Sequence, residues 1–265
     1  MMLTLFFKTW RDHWKSLISW AGVLVTMTTI QLSIYPTISK SGQVFQKFID
    51  SYPDAIKKMF RMEDYTSGPG FLSTELYSMI LPLVLIAVGA TFGASATADE
   101  EEKGTADLLF SMPISRSKIM ASKMAATVSV LFILGFVTYL NIYIGSGLVD
   151  MEINLSFLAW GTISCTLIGL FFSGVGYIFG ALTGKKGVSL GASSAIGLLF
   201  FVFYSIAPLV NDFEFLTPIN PFHWALGGNV LFSGPDWPGM TKLLSGTIIL
   251  YCLSFVILNR KDIRT

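Results

Sequence analysis

Two histidines, two cysteines and one glycine-lysine string are the residues of this chain whose types suit catalysis, metal binding or phosphate binding. His13 lies near the N-terminus on an amphipathic stretch, and His223 lies beside Trp224 in a distant proline-rich segment. The two are therefore not placed to share a metal or a catalytic site. A buried or interfacial ring is the expectation for each. Cys165 and Cys252 both fall inside apolar runs, where a disulfide framework has no place and a small buried hydrophobe is the natural role. The string GALTGKKG, starting at Gly180, comes nearest to a nucleotide-binding loop. It has one residue too few between its glycines and ends in Lys186 where Ser or Thr is required. Neither H-E-x-x-H nor G-x-S-x-G occurs. The expectation is a non-catalytic chain that itself binds no metal, cofactor or nucleic acid.

One polar stretch survives this search: DEEEKGTADLLFSMPISRSK, Asp99 to Lys118, lying between two runs of apolar sequence. From Leu76 to Ala98 no residue is charged over 23 positions, and from Met124 the chain is charge-free up to Asp150. About 20 apolar residues are what a helix needs to cross roughly 30 Å of hydrocarbon. Composition agrees, with 52% hydrophobic residues, 13% charged and a mean hydropathy of +0.63. Soluble domains carry about 25% charged residues, so most of this chain has no water to face. The net charge of +1 identifies no partner, because charge is sorted by loop. The chain reads as an all-α membrane protein, one domain over residues 1–265.

Runs of apolar residues predict six transmembrane helices, at 17–35, 76–98, 124–145, 155–182, 188–210 and 243–258. An even number places both ends on one side. Segments on that side hold twelve Lys and Arg, against six on the other, so the termini and the stretch 99–123 are expected to be cytoplasmic. Before the first span, Leu3, Phe6, Trp10, Trp14 and Leu17 recur at helical spacing, with Lys8, Arg11, Asp12 and Lys15 on the other side. Two readings fit: an interfacial amphipathic helix over 1–16 lying among the lipid headgroups, which we prefer, and an ordinary signal-anchor flank. No small-residue cleavage site follows the first span, and it is expected to be retained.

The outer loop 36–73 contains QVFQKFIDSYPDAIKKMF, which predicts two short amphipathic helices interrupted at Pro53, followed by a turn at TSGPG, Thr66 to Gly70. The outer segment 211–242 is too apolar for a free loop. With Pro218, Pro221, Pro235 and Pro238 breaking it, it predicts short or re-entrant helices packed on protein. The small-residue pairs Gly89 with Gly93, Gly176 with Gly180 and Gly187 with Gly191 predict close helix approach, within the chain in preference to between chains. Gln31 and Asn141 are expected to hydrogen-bond between helices. No Asp, Glu, Lys or Arg lies inside a span, which argues against an ion-coupled transporter.

The stretch after the second span has the punctuation of a short helix. Glu100, Glu101 and Glu102 follow the apolar run, and Gly104 breaks the helix. Thr105 suits an N-cap, with Asp107 in the first turn, where an acid complements the helix dipole. Leu108, Leu109 and Met112 form an apolar face, Pro113 stops the element, and Ser115 caps the next one. Such a helix at a membrane face exposes apolar surface that another protein most simply covers.

At these residues the chain resembles the ABC-2 type permeases, the membrane subunits of ABC exporters. Glu100, Glu101, Lys103, Gly104, Thr105, Leu108, Leu109, Pro113, Arg116 and Lys123 match the cytoplasmic signature of that family, and the pair Pro221 and Phe222 matches its outer segment. Met112 and Ile114 flanking Pro113 are a mild departure, and the long loop 36–73 occurs in only some members. The resemblance implies that Thr105 to Met112 is a coupling helix seated in a groove of a separate ATPase subunit. Leu108, Leu109 and Met112 would be its knobs, with Glu100 to Glu102 and Arg116 as rim charges. It further implies two ATPase subunits carrying ATP and Mg2+, a second permease chain, identical or homologous, and a bacterial plasma-membrane location. Two functional classes follow: export of a hydrophobic or amphipathic compound such as a drug, peptide or lipid, and a scaffold or sensor that relays ATPase motion to a partner. A small ion is the weaker cargo.

Overall fold

The structure, a computed structural model, describes residues 2–54, 56–57, 62–102, 104 and 115–260. It is helical throughout, with no strand among the described residues. In chain order the helices are α1 (Met2–Lys40), α2 (Gly42–Asp50), α3 (Gly68–Leu72), α4 (Ile80–Glu102), α5 (Arg116–Leu148), α6 (Leu155–Thr183), α7 (Lys186–Ile206), α8 (Pro221–Leu226), α9 (Val230–Ser233) and α10 (Trp237–Arg260). Among the described residues six helical passages are long and apolar enough to cross a membrane: α1, the passage Gly68–Ala96, α5, α6, α7 and α10.

The expected boundaries move in physically legible ways. Segment 1–16 is not a helix of its own, because α1 runs unbroken from Met2 to Lys40 and carries Pro36 inside it. Only Gly22 and Pro36 punctuate that stretch, and neither ends it. At about 1.5 Å per residue α1 is near 58 Å long, far more than the hydrocarbon needs. The expected turn at TSGPG is the start of a helix. Ser67 is the N-cap of α3, its Oγ accepting from the Gly70 N–H at 3.1 Å, and Pro69 occupies the first turn, where its missing N–H costs nothing. A π-helical turn, Ser73–Tyr77, then leads toward α4, so the second passage begins earlier than residue 76. The last span likewise begins at Trp237, with Pro238 in its first turn instead of breaking it.

The long loop after the first passage carries the first of its two expected amphipathic helices as α2, while the second, expected after Pro53, lies partly outside the described residues. Tyr65 follows. Burial, and then the hydrogen bond that it donates to Glu75 Oε1 at 2.6 Å, hold its hydroxyl above the usual tyrosine range, so it stays protonated. The segment 211–242 folds as expected into short elements: a 3-10 helix, Asn211–Ile219, then α8 and α9. Asn220 ties them down. Its Oδ1 accepts from the Phe222 N–H at 2.9 Å, capping α8, and its Nδ2 donates to Phe200 O at 2.9 Å on α7. Phe222 is fully buried among Phe172, Phe201 and Tyr204.

α6 is the centre of the bundle. It is apolar on every face and buried along most of its length, as a helix surrounded by others must be. Its most extensive partner is α4. There the backbones approach so closely that a Cβ added at Gly89 would lie 2.2 Å from Gly169 O, and one at Gly93 2.4 Å from Ser173 O. This places the first small-residue pair within the chain, as expected. From α7, which packs on both α4 and α6, Ser189 and Ser193 donate to Gly176 O and Phe172 O, each at 2.6 Å. Ser173 Oγ and Tyr251 OH share a hydrogen bond of 2.7 Å that joins α6 to α10. By contrast, a Cβ at Gly187 or Gly191 would meet nothing within 4 Å.

α1 packs chiefly on α5. Asn141 on α5 donates to Val25 O at 3.3 Å, to Thr29 Oγ1 at 3.1 Å and to Thr28 Oγ1, the helix-to-helix role anticipated for it. Hydrogen bonds of this kind between membrane helices are worth roughly 0.6 kcal/mol on average and about 1.7 at most. Asn141→Leu is therefore expected to lower stability by about 1 kcal/mol. An unfolding titration in detergent micelles checks this, and an unchanged midpoint would remove the cluster from the account. Cys165 is buried in α6 and Cys252 exposed on α10, both as free thiols.

Candidate functional site

The signature residues gather where α4 ends and α5 begins. Glu100, Glu101 and Glu102 form the last turn of α4, and Gly104 follows with φ +64, the left-handed backbone that stops a helix. The expected coupling helix Thr105 to Met112, with Asp107, Leu108 and Leu109 in it, lies outside the described residues, as do Lys103 and Pro113. The chain returns at Ser115, which occupies the N-cap of α5 with extended backbone. Its side chain makes no capping bond, but its carbonyl accepts from the N–H groups of Lys118 at 2.9 Å and Ile119 at 3.2 Å. Arg116 is the first residue of α5.

Two bracing contacts hold this end of the bundle. Glu102 Oε1 accepts from the backbone N–H of Lys186 at 2.7 Å, and the Lys186 ammonium pairs with Asp99 Oδ1 at 2.8 Å. The short α6–α7 connection is thereby tied to the last turns of α4. Both ends of the fastening matter, since Gly184 closes α6 and Lys186 opens α7. Lys123, two turns into α5, donates from Nζ to Ala96 O at 2.9 Å, so the two helices flanking the signature are joined directly.

The N-terminal part of α1 runs along the same end. Trp10 Nε1 donates to Ser129 Oγ on α5 at 2.9 Å, and the Trp10 ring lies 6.5 Å from that of Phe6. Trp14 is exposed on the surface of α1. The polar side of this stretch does not simply meet water. Thr9 and His13 approach Ser95 and Asp99 on α4 and Lys123 and Thr127 on α5 around a cavity of about 160 Å³. Sequence reasoning expected His13 to be a buried or interfacial ring and gave no role to Ser95 or Thr127. The signal present was spacing, since Thr9/His13, Ser95/Asp99 and Lys123/Thr127 are each four residues apart on one helix. No group of three or more metal-ligating side chains occurs among the described residues.

A family model described as ABC-2 family transporter protein matches residues 3–263. The chain belongs to that family. This ABC-2 protein is accordingly the membrane component of an ABC transporter. A search of curated proteins finds no match. For the ABC-2 chain, the α4 terminus, the α5 start and the Lys186 fastening form one structural unit.

Proposed function

We propose that the chain is the permease subunit of an ATP-driven exporter, moved by separate ATPase subunits that dock on the segment between α4 and α5. The observation that carries this is the string EEEKGTADLLFSMPISRSK, the family's docking signature, which lies in sequence between α4, fastened to Lys186 through Asp99 and Glu102, and α5, joined to α4 by Lys123 on Ala96 O. Two ATPase subunits supply ATP and Mg2+, and a second permease chain completes the pathway. ATP-driven closure of the ATPase pair rocks the helices as rigid bodies between packed arrangements. The excess of Lys and Arg on the terminal side supports a cytoplasmic docking face.

Cargo is of the hydrophobic or amphipathic class. Among the described residues the buried polar groups are uncharged, and they include hydroxyls paired between helices, such as Tyr77 with Thr162 at 2.7 Å and Tyr177 with Thr127 at 2.6 Å. A bare ion needs fixed charges or many carbonyl ligands at mid-depth. The test is purification of the chain from its native membrane in mild detergent. An ATPase that co-purifies, and whose hydrolysis is stimulated by amphipathic compounds, is the expected result. Absence of any associated ATPase would overturn the reading.

A further inference from the structure

The cavity between α1, α4 and α5 has no part in the docking reading, and its chemistry is specific. Three helices each supply polar side chains one turn apart on the face that lines it: Thr9 and His13, Ser95 and Asp99, Lys123 and Thr127. Lys8 and Asp12, both exposed and again one turn apart on α1, stand at its rim. At about 160 Å³ it has room for several water-sized groups, one of which needs roughly 10–15 Å³ of such space.

One wall atom is chemically unfinished. Ser95 is only 4% exposed, and its Oγ finds no hydrogen-bond partner among the described residues. A buried hydroxyl left so is costly in isolation, so it marks a point where a bound group can donate or accept.

Charge of both signs surrounds the opening. Lys8 and Lys123 supply ammonium groups, the second already donating one N–H to Ala96 O, while Asp12 and Asp99 supply carboxylates, the latter already paired with Lys186. A ligand that is only anionic meets Asp12, and one that is only cationic meets the lysines. A zwitterion satisfies both. A quaternary ammonium has no N–H to give a carboxylate and relies on aromatic faces, of which this lining offers Phe92 and the His13 ring against it. A primary ammonium can hydrogen-bond Asp12.

Depth selects the source. The lining lies where α1, α4 and α5 pass from charged to uncharged sequence, at the polar edge of the hydrocarbon. We infer that this cavity binds the headgroup of an aminophospholipid, with the phosphate toward Lys8, Lys123 and Ser95 Oγ and the primary ammonium toward Asp12. The site joins α1 to the two helices that flank the docking segment. The inference requires the membrane build but no ATPase.

Native mass spectrometry of the full chain tests it. The chain is released from micelles holding equal amounts of phosphatidylethanolamine, phosphatidylcholine and phosphatidylglycerol with identical acyl chains. Phosphatidylethanolamine is expected to be retained about tenfold over either competitor. The double variant Lys8→Gln/Asp12→Asn, at two exposed positions, is expected to lose that preference while keeping its gel-filtration profile. Ser95→Ala should weaken it roughly threefold. Equal retention of the three lipids, or an unchanged preference in the double variant, would overturn the inference. Two soluble probes distinguish the source: if glycerophosphoethanolamine or inorganic phosphate binds the lipid-free chain as tightly, the ligand is a soluble phosphate and the lipid assignment fails. Because no ATPase is present in the measurement, failure of the docking reading leaves its outcome unaffected.

Discussion

Gly93→Val is expected to abolish the assembled bundle. The added Cβ would stand 2.4 Å from Ser173 O and within 3.3 Å of its carbonyl carbon and Cα, backbone atoms that cannot rotate away. The usual escape is a small shift of the opposing helix. Here α6 is held from two other directions, by the Ser193 hydroxyl on Phe172 O and by the Ser173–Tyr251 hydrogen bond. Overpacking in a well-filled interior costs about 1–3 kcal/mol and occasionally more. Membrane helices without a hydrophobic drive toward each other depend on this close van der Waals approach, so the loss falls on the main contact of the fold. The expected outcome is aggregation on gel filtration and no cooperative unfolding transition. Gly191→Ala is the comparison, because its Cβ meets nothing within 4 Å. It should leave the transition in place, shifted by no more than about 0.5 kcal/mol. A well-behaved Gly93→Val protein would mean that α4 and α6 do not meet as described.

The different fates of those two glycines show what sequence could and could not say. Both lie in small-xxx-small pairs of identical appearance, and spacing predicts close approach for each. Only the three-dimensional neighbour separates Gly93, pressed on α6, from Gly191, which faces open space on α7. Helix number and order were legible because a run of uncharged residues has one physical use. Ends were less so, since Pro36 and Pro238 act as stops on paper, yet α1 absorbs the first and α10 uses the second in its opening turn. The polar cavity was invisible for another reason. Thr9, His13, Ser95 and Thr127 are unremarkable singly, and their meaning comes from three helices being brought together by contacts such as Trp10 with Ser129 and Lys123 with Ala96 O. Asp99 and Lys186 are far apart in sequence, and nothing short of the fold pairs them.

Leu109→Asp carries the largest expected effect on function, because it tests the docking segment without touching the spans. In the proposed complex Leu109 is an apolar knob covered by the ATPase. Burying one such side chain is worth about 1.5–3 kcal/mol, and a carboxylate forced into the same apolar surroundings adds a desolvation cost of its own. A combined loss of about 4 kcal/mol weakens association roughly a thousandfold, enough to strip the ATPase during purification. The neighbouring bracing contacts of Glu102 and Lys186 lie on the helices themselves and should survive. The variant is therefore expected to reach the membrane in normal amounts, to retain the aminophospholipid preference, and to bring down no ATPase activity. Retention of the ATPase by Leu109→Asp would exclude Thr105 to Met112 as the dock even though the chain is an ABC-2 protein. A loss shared by Lys118→Gln, on the exposed surface of α5, would point instead to a general electrostatic attachment. The specific loss at Leu109 is what a knob in a groove requires, since one apolar side chain is then replaced without altering the shape of either helix beside it.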